Sequence, residues 1–191
     1  MAEGHKLVGD LLGHFPCKLL IATSNWLKMN HSATANEIIE VTQEELSRAS
    51  LQKTPQEVLA VFVQPSYDLN PEVIKSSLCL ALDDVQDPGN LGTIIRLADW
   101  FGIEHIFCST GTADVYNPKT VQATMGALAR VKVHYCSLPQ LIESLTDIPV
   151  YGTFLNGNII YAESLSAHGL IVMGNEGKGV SLEVEKLINN R

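Results

Sequence analysis

The second half of the chain alternates short apolar runs with amphipathic segments, and this alternation constrains the fold more than any other feature. Strand-like runs occur at residues 78–82, 105–108, 131–135, 150–153 and 170–173, and helix-like segments at 90–101, 118–129, 138–145 and 181–189. Strands joined to helices by short connections are typical of a parallel sheet with right-handed crossovers. The sequence therefore predicts an α/β domain whose parallel sheet carries helices on both faces.

The first third of the chain shows a shorter version of the same pattern. Residues 1–64 follow the order helix, strand, helix, strand, helix, strand, and Thr42 and Glu45 form a capping box that predicts one helix start. Residues 65–77 contain two prolines and several serines, which is typical of a linker. We expect a small α/β domain over 1–64, a linker over 65–77 and the main domain over 78–191.

The composition of the chain restricts which cellular compartment and which ligands can be predicted for it. No apolar run approaches the length of a membrane span, and the first residues do not resemble a secretory signal. The four cysteines form no CxxC and the six histidines no HxxxH, so buried thiols are favoured over metal ligands. We predict a cytoplasmic protein without a metal. The net charge of -8 argues mildly against nucleic acid as a partner, although the local distribution of charge decides this.

The most distinctive loop covers residues 84–96, between a strand and a helix. Asn90 stands where a helix N-cap is expected, and its amide can either cap backbone N–H groups or turn outward to a ligand. Gly89 and Gly92 allow a close approach, and Arg96 can bind a phosphate or carboxylate. A capped helix with a solvated arginine explains the same residues, and spacing alone favours that interpretation. The spacing matches neither a P-loop nor GxGxxG.

A second loop, residues 174–181, follows the last predicted strand. It holds three glycines and the carboxylate of Glu176, and Ser181 can cap the next helix. This many glycines favours a functional loop with room for a flat ligand over a tight connection. Residues 151–158 form another glycine-containing strand end, for which a plain turn is favoured. Small residues in 122–129 indicate close helix packing, with Arg130 near the helix end.

Together these motifs resemble the SpoU, or TrmH-type, RNA ribose 2′-O-methyltransferases of the SPOUT superfamily. Residues 84–96 resemble the family's first motif almost continuously, residues 116–119 and 124–127 its middle segment, and residues 171–179 its second motif. Residues 3–63 resemble its N-terminal substrate-binding domain, a small α/β module similar to kink-turn-binding ribosomal proteins.

The resemblance implies a trefoil-knotted domain that binds S-adenosylmethionine in a bent shape and acts as a homodimer on rRNA or tRNA. Arg96 would bind the target phosphate and help to activate the ribose 2′-hydroxyl, Asn90 would position that site, and Glu176 falls on the second-motif carboxylate. The implied cofactor-binding residues are Thr153, Phe154, Leu155, Gly174, Asn175, Glu176 and Gly177. The implied reaction needs no metal, because the sulfonium donor already carries its leaving group.

One departure from the family concerns its third motif, which should follow the last helix and complete both the knot and the cofactor pocket. The sequence stops at Arg191, before such a segment. We expect a fragment of a longer methyltransferase with an incomplete knot. The alternative hypothesis is a non-catalytic RNA-binding protein with an incomplete methyl-donor pocket; a metabolic nucleotide-binding protein has only the generic glycine loops in its favour.

Overall fold

The computed structural model describes residues 1–159 and 165–190 and contains two β-sheets. The first sheet has four strands in the order β1-β4-β2-β3, with β2 and β3 parallel and β4 antiparallel to both β1 and β2. Its strands are β1 (Ala2–Glu3), β2 (Cys17–Thr23), β3 (Glu37–Val41) and β4 (Val58–Phe62), and its helices are α1 (His5–Leu11), α2 (Ser24–Met29) and α3 (Gln43–Ala49).

Local side-chain bonds explain where these helices begin. The hydroxyl of Thr23 accepts a hydrogen bond from the Trp26 amide and caps α2. Thr42 and Glu45 form the predicted capping box at the start of α3, with each side chain accepting from the other residue's amide at 3.2 and 2.8 Å. Strand β1 was not predicted, because a two-residue strand shows no periodicity; its pairing with β4 alone defines it.

The second sheet is parallel throughout, as predicted. Its five strands lie in the order β7-β6-β5-β9-β8. They are β5 (Leu78–Leu82), β6 (His105–Cys108), β7 (Lys132–Tyr135), β8 (Val150–Gly152) and β9 (Gly169–Met173), with helices α4 (Pro88–Trp100), α5 (Pro118–Ala123), α6 (Leu138–Glu143) and α7 (Leu182–Glu185). The chain leaves β5 toward β6 on one side, whereas β9 pairs with β5 on the other. The crevice between β5 and β9 is therefore a topological switch point, where open α/β sheets bind ligands.

Three elements differ from the sequence prediction. The helix predicted over 118–129 ends at Ala123, because Met125 and Gly126 have φ angles of 52° and 93° that no α-helix accepts, and a short 3₁₀ helix follows. The predicted linker contains a 3₁₀ helix, Pro71–Lys75, whose Ile74 is fully buried. The last predicted helix stops at Glu185, and the chain then runs beside β8, where Asn190 pairs with Tyr151.

Two apolar cores stabilise the molecule. The larger one joins both sheets, since Val8 and Leu20 from the first belong to the same cluster as Leu82, Ile95 and Leu128 from the second region. The smaller core lies on the other face of the second sheet, around Phe107, Leu138 and Leu170. The unit that carries the first sheet thus packs onto α5 and the 3₁₀ helix that follows it, and shares one core with α4.

The structure bears on two further sequence expectations. Cys17, Cys79 and Cys108 are buried, Cys136 is partly buried, and all four are free thiols. Within residues 1–159 and 165–190, every helix is too short or too polar to cross a membrane.

Helices α4 and α5 lie unusually close together, which confirms the packing predicted from the small residues of 122–129. A Cβ atom added at Gly92 would stand 2.5 Å from the Cβ of Ala123 and 2.6 Å from the carbonyl oxygen of Thr120. Both distances are below any normal contact, so only glycine allows this approach. The approach holds α5 against the helix that carries Asn90 and Arg96.

We therefore expect the substitution Gly92→Ala to lower the free energy of unfolding by about 1–3 kcal/mol, the usual cost of overpacking. The substitution Gly9→Ala in the exposed part of α1 is the matched control, because nothing lies within 4 Å of its added Cβ. It should instead stabilise the protein by about 0.5–1 kcal/mol through helix propensity. Urea denaturation measures both values; equal effects of the two substitutions would contradict the close packing.

Candidate active site

The first loop of the site connects β5 to α4. Asp87, rather than Asn90, is the N-cap of α4: its Oδ1 accepts from the Asn90 amide at 2.8 Å, and Pro88 occupies the first helical position. The predicted cap at Asn90 is therefore wrong by three residues. The correction has a functional consequence, because the side chain of Asn90 is left available for a contact outside its own helix.

The side chain of Asn90 makes that contact with the second loop. Its Nδ2 donates to Oε1 of Glu176 over 2.9 Å, and the two residues are 86 positions apart in the chain. This hydrogen bond favours the charged form of Glu176 and is the largest of the interactions that lower the pKa of its carboxyl group. Two residues that the sequence singled out separately thus form one polar pair, and both are exposed.

Asn175 shapes the second loop. Its Nδ2 donates to the carbonyl oxygen of Asp84 at 2.8 Å, while its Oδ1 accepts from the amides of Gly177 and Lys178 at 2.9 and 3.0 Å. Its backbone pairs with Gly179 in an antiparallel bridge. Most of the hydrogen-bonding capacity of this side chain is therefore used within the protein, and its predicted role in cofactor binding stays a prediction.

Two glycines of the second loop differ in how much space surrounds them. A Cβ at Gly174 would lie 2.2 Å from the backbone of Gly179 and Val180, so the two ends of the loop touch at this point. The space that the sequence suggested for a flat ligand is filled here by the loop itself. At Gly177 the nearest atom is 3.6 Å away, so that position is open to the surroundings.

Two aspartates that sequence reasoning passed over hold the loops together. Asp83 is buried, and its Oδ2 accepts from the Ser181 amide at 2.8 Å, which anchors the end of the second loop. Ser181 is the N-cap residue of α7, but its side chain makes no capping bond. Asp84 has a φ angle of 60° and offers its carbonyl to Asn175. A run of aspartates directly after a buried strand was the available signal.

A pocket of about 200 Å³ lies between the two loops. Its apolar walls and polar rim are formed by Val85, Asn90, Thr93, Ile94, Met173, Gly174 and Glu176. Three of the predicted site residues, Asn90, Gly174 and Glu176, are thus brought into one pocket at the switch point of the sheet.

The predicted cofactor-binding segment at residues 153–155 follows β8, on the neighbouring strand. The amide and hydroxyl of Thr153 both donate to the carbonyl of Val172, at 3.1 and 3.2 Å, and Phe154 packs against the smaller core. Leu155 is fully exposed. The segment lies at the same edge of the sheet as the pocket but does not line it.

Arg96 lies outside the pocket as well. It is six residues after Asn90, which on a helix is about 9 Å along the axis and about 120° around it. Its side chain is exposed and forms no ion pair in the part of the chain that the structure describes. Within one chain, the arginine and the Asn90–Glu176 pair therefore face different directions.

The parallel sheet and its switch-point pocket agree with the protein class that two family models identify. A family model described as the SpoU rRNA Methylase family matches residues 77–191, and a model described as the MRM3-like substrate binding domain matches residues 1–60. The chain belongs to the SpoU rRNA methylase family.

Individual relatives agree with that assignment. The chain is 34% identical over 143 residues to the 23S rRNA (guanosine(2553)-2′-O)-methyltransferase RlmP of Bacillus subtilis, a match that covers 73% of this chain but only 56% of that protein. A TrmH-family structure from Porphyromonas gingivalis is 42% identical, with a TM-score of 0.89 over 100% of this chain and 77% of the other. The SpoU methyltransferase AviRb of Streptomyces viridochromogenes, in complex with AdoMet, is 25% identical, with a TM-score of 0.85 over 99% and 78% of the two chains.

The contact between the loop ends predicts that alanine destabilises the protein at Gly174 but not at Gly177. We expect the substitution Gly174→Ala to force the loop ends apart and to cost about 1–3 kcal/mol, as overpacking does. For a chain of this length that corresponds to a fall of about 2–12 °C in melting temperature. The substitution Gly177→Ala should change the melting temperature by little, because its added Cβ meets only ordinary contacts. Differential scanning calorimetry measures both, and a tolerated Gly174→Ala would show that the loop is not closed in this way.

Proposed function

We propose that the protein transfers a methyl group from S-adenosylmethionine to a ribose 2′-hydroxyl of rRNA or tRNA. The observation that carries the proposal is the hydrogen bond between Asn90 and Glu176, which joins the first turn of α4 to the loop after β9 at the switch point of the sheet. Membership of the SpoU family supports the reaction class. The names of relatives, among them a 23S rRNA 2′-O-methyltransferase, support RNA as the substrate.

The residues present suit a sulfonium donor. The carboxylate of Glu176 supplies a negative charge at the rim of the pocket, and Val85, Ile94 and Met173 give it apolar walls. Leu155, exposed at the next strand end, offers a further apolar surface for a flat group. Such a donor, when bound, supplies a methyl group that already has its leaving group. We assign the donor to the strand-end residues Thr153, Phe154 and Leu155 and to the loop 174–177.

The protein's own residues would then orient the acceptor hydroxyl and stabilise the charge that develops on its oxygen. A ribose hydroxyl is a poor nucleophile unless its proton is removed or its oxygen is strongly polarised. A guanidinium that fixes the neighbouring phosphate holds the hydroxyl in line and stabilises the charge that develops on its oxygen. Arg96 is available for this role, because it is exposed and unpaired within the described residues. Asn90 keeps Glu176 in place on the donor side.

A homodimer would bring these two parts together. Arg96 shares the outer side of α4 with Leu97, Trp100 and Phe101, which are 51%, 85% and 74% exposed. Apolar side chains of this size are costly to leave in water, and a second copy of the chain that covered them would also surround Arg96. The arginine of one copy could then serve a site outside the pocket of its own chain.

We further propose that residues 1–64 bind the RNA substrate, that 65–77 connect the two units and that 78–191 form the methyltransferase domain. The ranges of the two family models, 1–60 and 77–191, support this division. An RNA substrate and free thiols also accord with a cytoplasmic location.

The proposal predicts that Arg96→Ala lowers the rate of methyl transfer to RNA by about 10²–10³-fold, as the loss of one charge-stabilising group does. The control is Lys75→Ala, which removes an exposed cation that is paired with Glu72 and precedes β5, whereas the first loop follows this strand. Transfer of labelled methyl groups to rRNA and tRNA, followed by nucleoside mass spectrometry, gives the rate and the methylated position. Full activity of Arg96→Ala would contradict the role proposed for Arg96 in methyl transfer. If the unaltered protein bound RNA without methylating it, the non-catalytic alternative would be favoured.

The dimer makes its own prediction. The substitution Trp100→Glu places a charge in the proposed interface and should convert the dimer to a monomer in sedimentation velocity, with loss of methyl transfer. Met29→Glu is the matched control, since Met29 is a similarly exposed apolar residue at the end of α2. A protein that is monomeric before any substitution would refute the homodimer.

A further inference from the structure

A second concave surface lies on the other side of α4, between the two sheets. This cleft has a volume of about 590 Å³, within the range that small ligands occupy. Leu51 and Gln52 of the first unit form one wall, and Gly89, Lys119 and Gln122 form the other. The side-chain amide of Gln122 donates to the carbonyl of Glu3 at 3.3 Å and ties the two walls together.

Lys119 is the cation of this cleft. Asn117 accepts from the Lys119 amide at 2.9 Å and thereby begins α5, which aims the lysine at the first turn of α4. The Nζ atom lies 3.0 Å from Oδ2 of Asp87, and 63% of the side chain is exposed. A Cβ at Gly89 would stand 3.3 Å from Cε of Lys119, so the missing side chain at Gly89 makes room for the lysine stem.

The carboxylates near the cleft are already engaged. Glu3 is buried and accepts from the Ser50 hydroxyl and from the Leu51 amide. Asp87 has a lowered pKa, chiefly because Lys119 donates to it and then because it caps Asn90. An anion that enters the cleft would therefore meet one exposed ammonium group, held by an ion pair that is itself exposed. Exposed ion pairs contribute little to stability, so an exchange of partner costs little.

The position of Lys119 relative to Arg96 points to an extended ligand. Arg96 is seven residues after Gly89, which is about two helical turns, or about 10 Å, on nearly the same side of α4. The lysine that rests on Gly89 and the arginine thus lie along one side of the helix. The pocket with Asn90 and Glu176 lies around the helix from both.

We propose that Lys119 binds a backbone phosphate of the substrate RNA beside the target nucleotide, and that the RNA strand follows α4 from Arg96 into the cleft. This inference rests on the proposed function. The phosphate replaces Asp87 as the partner of Lys119. In a protein with a net charge of -8, such local cations have to supply the attraction for RNA.

A purely structural ion pair between Lys119 and Asp87 is the competing explanation. Two substitutions distinguish a phosphate-binding lysine from such an ion pair. Lys119→Gln removes the cation, whereas Asp87→Asn removes the competing anion but keeps a good N-cap for α4. A phosphate-binding lysine predicts effects of opposite sign: weaker RNA binding for Lys119→Gln and tighter binding for Asp87→Asn. A structural ion pair predicts effects of the same sign.

The experiment measures RNA affinity by fluorescence anisotropy at 50 and 200 mM salt, and KM and kcat for methyl transfer, with rRNA as the probe. Each phosphate contact contributes about a threefold loss of affinity over this range of salt. Between 50 and 200 mM salt, the RNA affinity of Lys119→Gln should therefore fall about threefold less than the RNA affinity of the unaltered protein. In methyl transfer, the substitution should change KM more than kcat. Lys119→Arg should restore both, and Lys75→Gln, which removes a paired surface lysine elsewhere, should change neither.

An unchanged salt dependence for Lys119→Gln, or weaker binding for both Lys119→Gln and Asp87→Asn, would overturn this inference while the unaltered protein still methylated RNA. Absence of both RNA binding and methyl transfer in the unaltered protein would overturn the proposed function, and this inference with it.

Discussion

The parallel pairing of β5 with β9 is the constraint on which the rest of the structure depends. Leu82 stands opposite Met173 at the carboxyl ends of the two strands, so the loops that follow must begin side by side. Every contact of the candidate site follows from that register, including the bond between Asn90 and Glu176. A shift of one residue would turn the strand side chains to the opposite face and separate the loops. The chemistry is thus set by backbone hydrogen bonds before any functional side chain contributes.

Three aspartates in the first loop support the site without taking part in its pocket. Asp83 anchors the end of the second loop, Asp84 holds Asn175 through its carbonyl, and Asp87 begins α4. Each satisfies polar groups that would otherwise be left unpaired near a buried strand. Asn90 and Glu176 at the rim of the pocket are therefore presented by loops that these three hydrogen bonds hold in place. Such a framework keeps the polar pair in place before a ligand arrives.

The sequence predicted the strands of the second sheet within about one residue, because buried parallel strands are continuous apolar runs that local composition reveals. It predicted α5 too long, since left-handed backbone at Met125 is decided by tertiary packing rather than by propensity. It singled out Asn90 and Glu176 separately and misplaced Asn90 as a helix cap, and it could not reveal their hydrogen bond, because the two residues are far apart in the chain. The separation of Arg96 from that pair was equally hidden, because it depends on where α4 begins and on how far the helix turns between the two residues.

The apolar core that runs from the first sheet into α4 and α5 has a consequence for specificity. Because the two units share this core, a hinge motion between them would have to expose buried apolar side chains to water. If the protein methylates RNA as proposed, two units packed in this way would accept an RNA whose bound feature and reacting ribose stand at the matching separation. Selection among RNAs can then arise from the shape of the substrate, without a dedicated contact to each base around the methylated position.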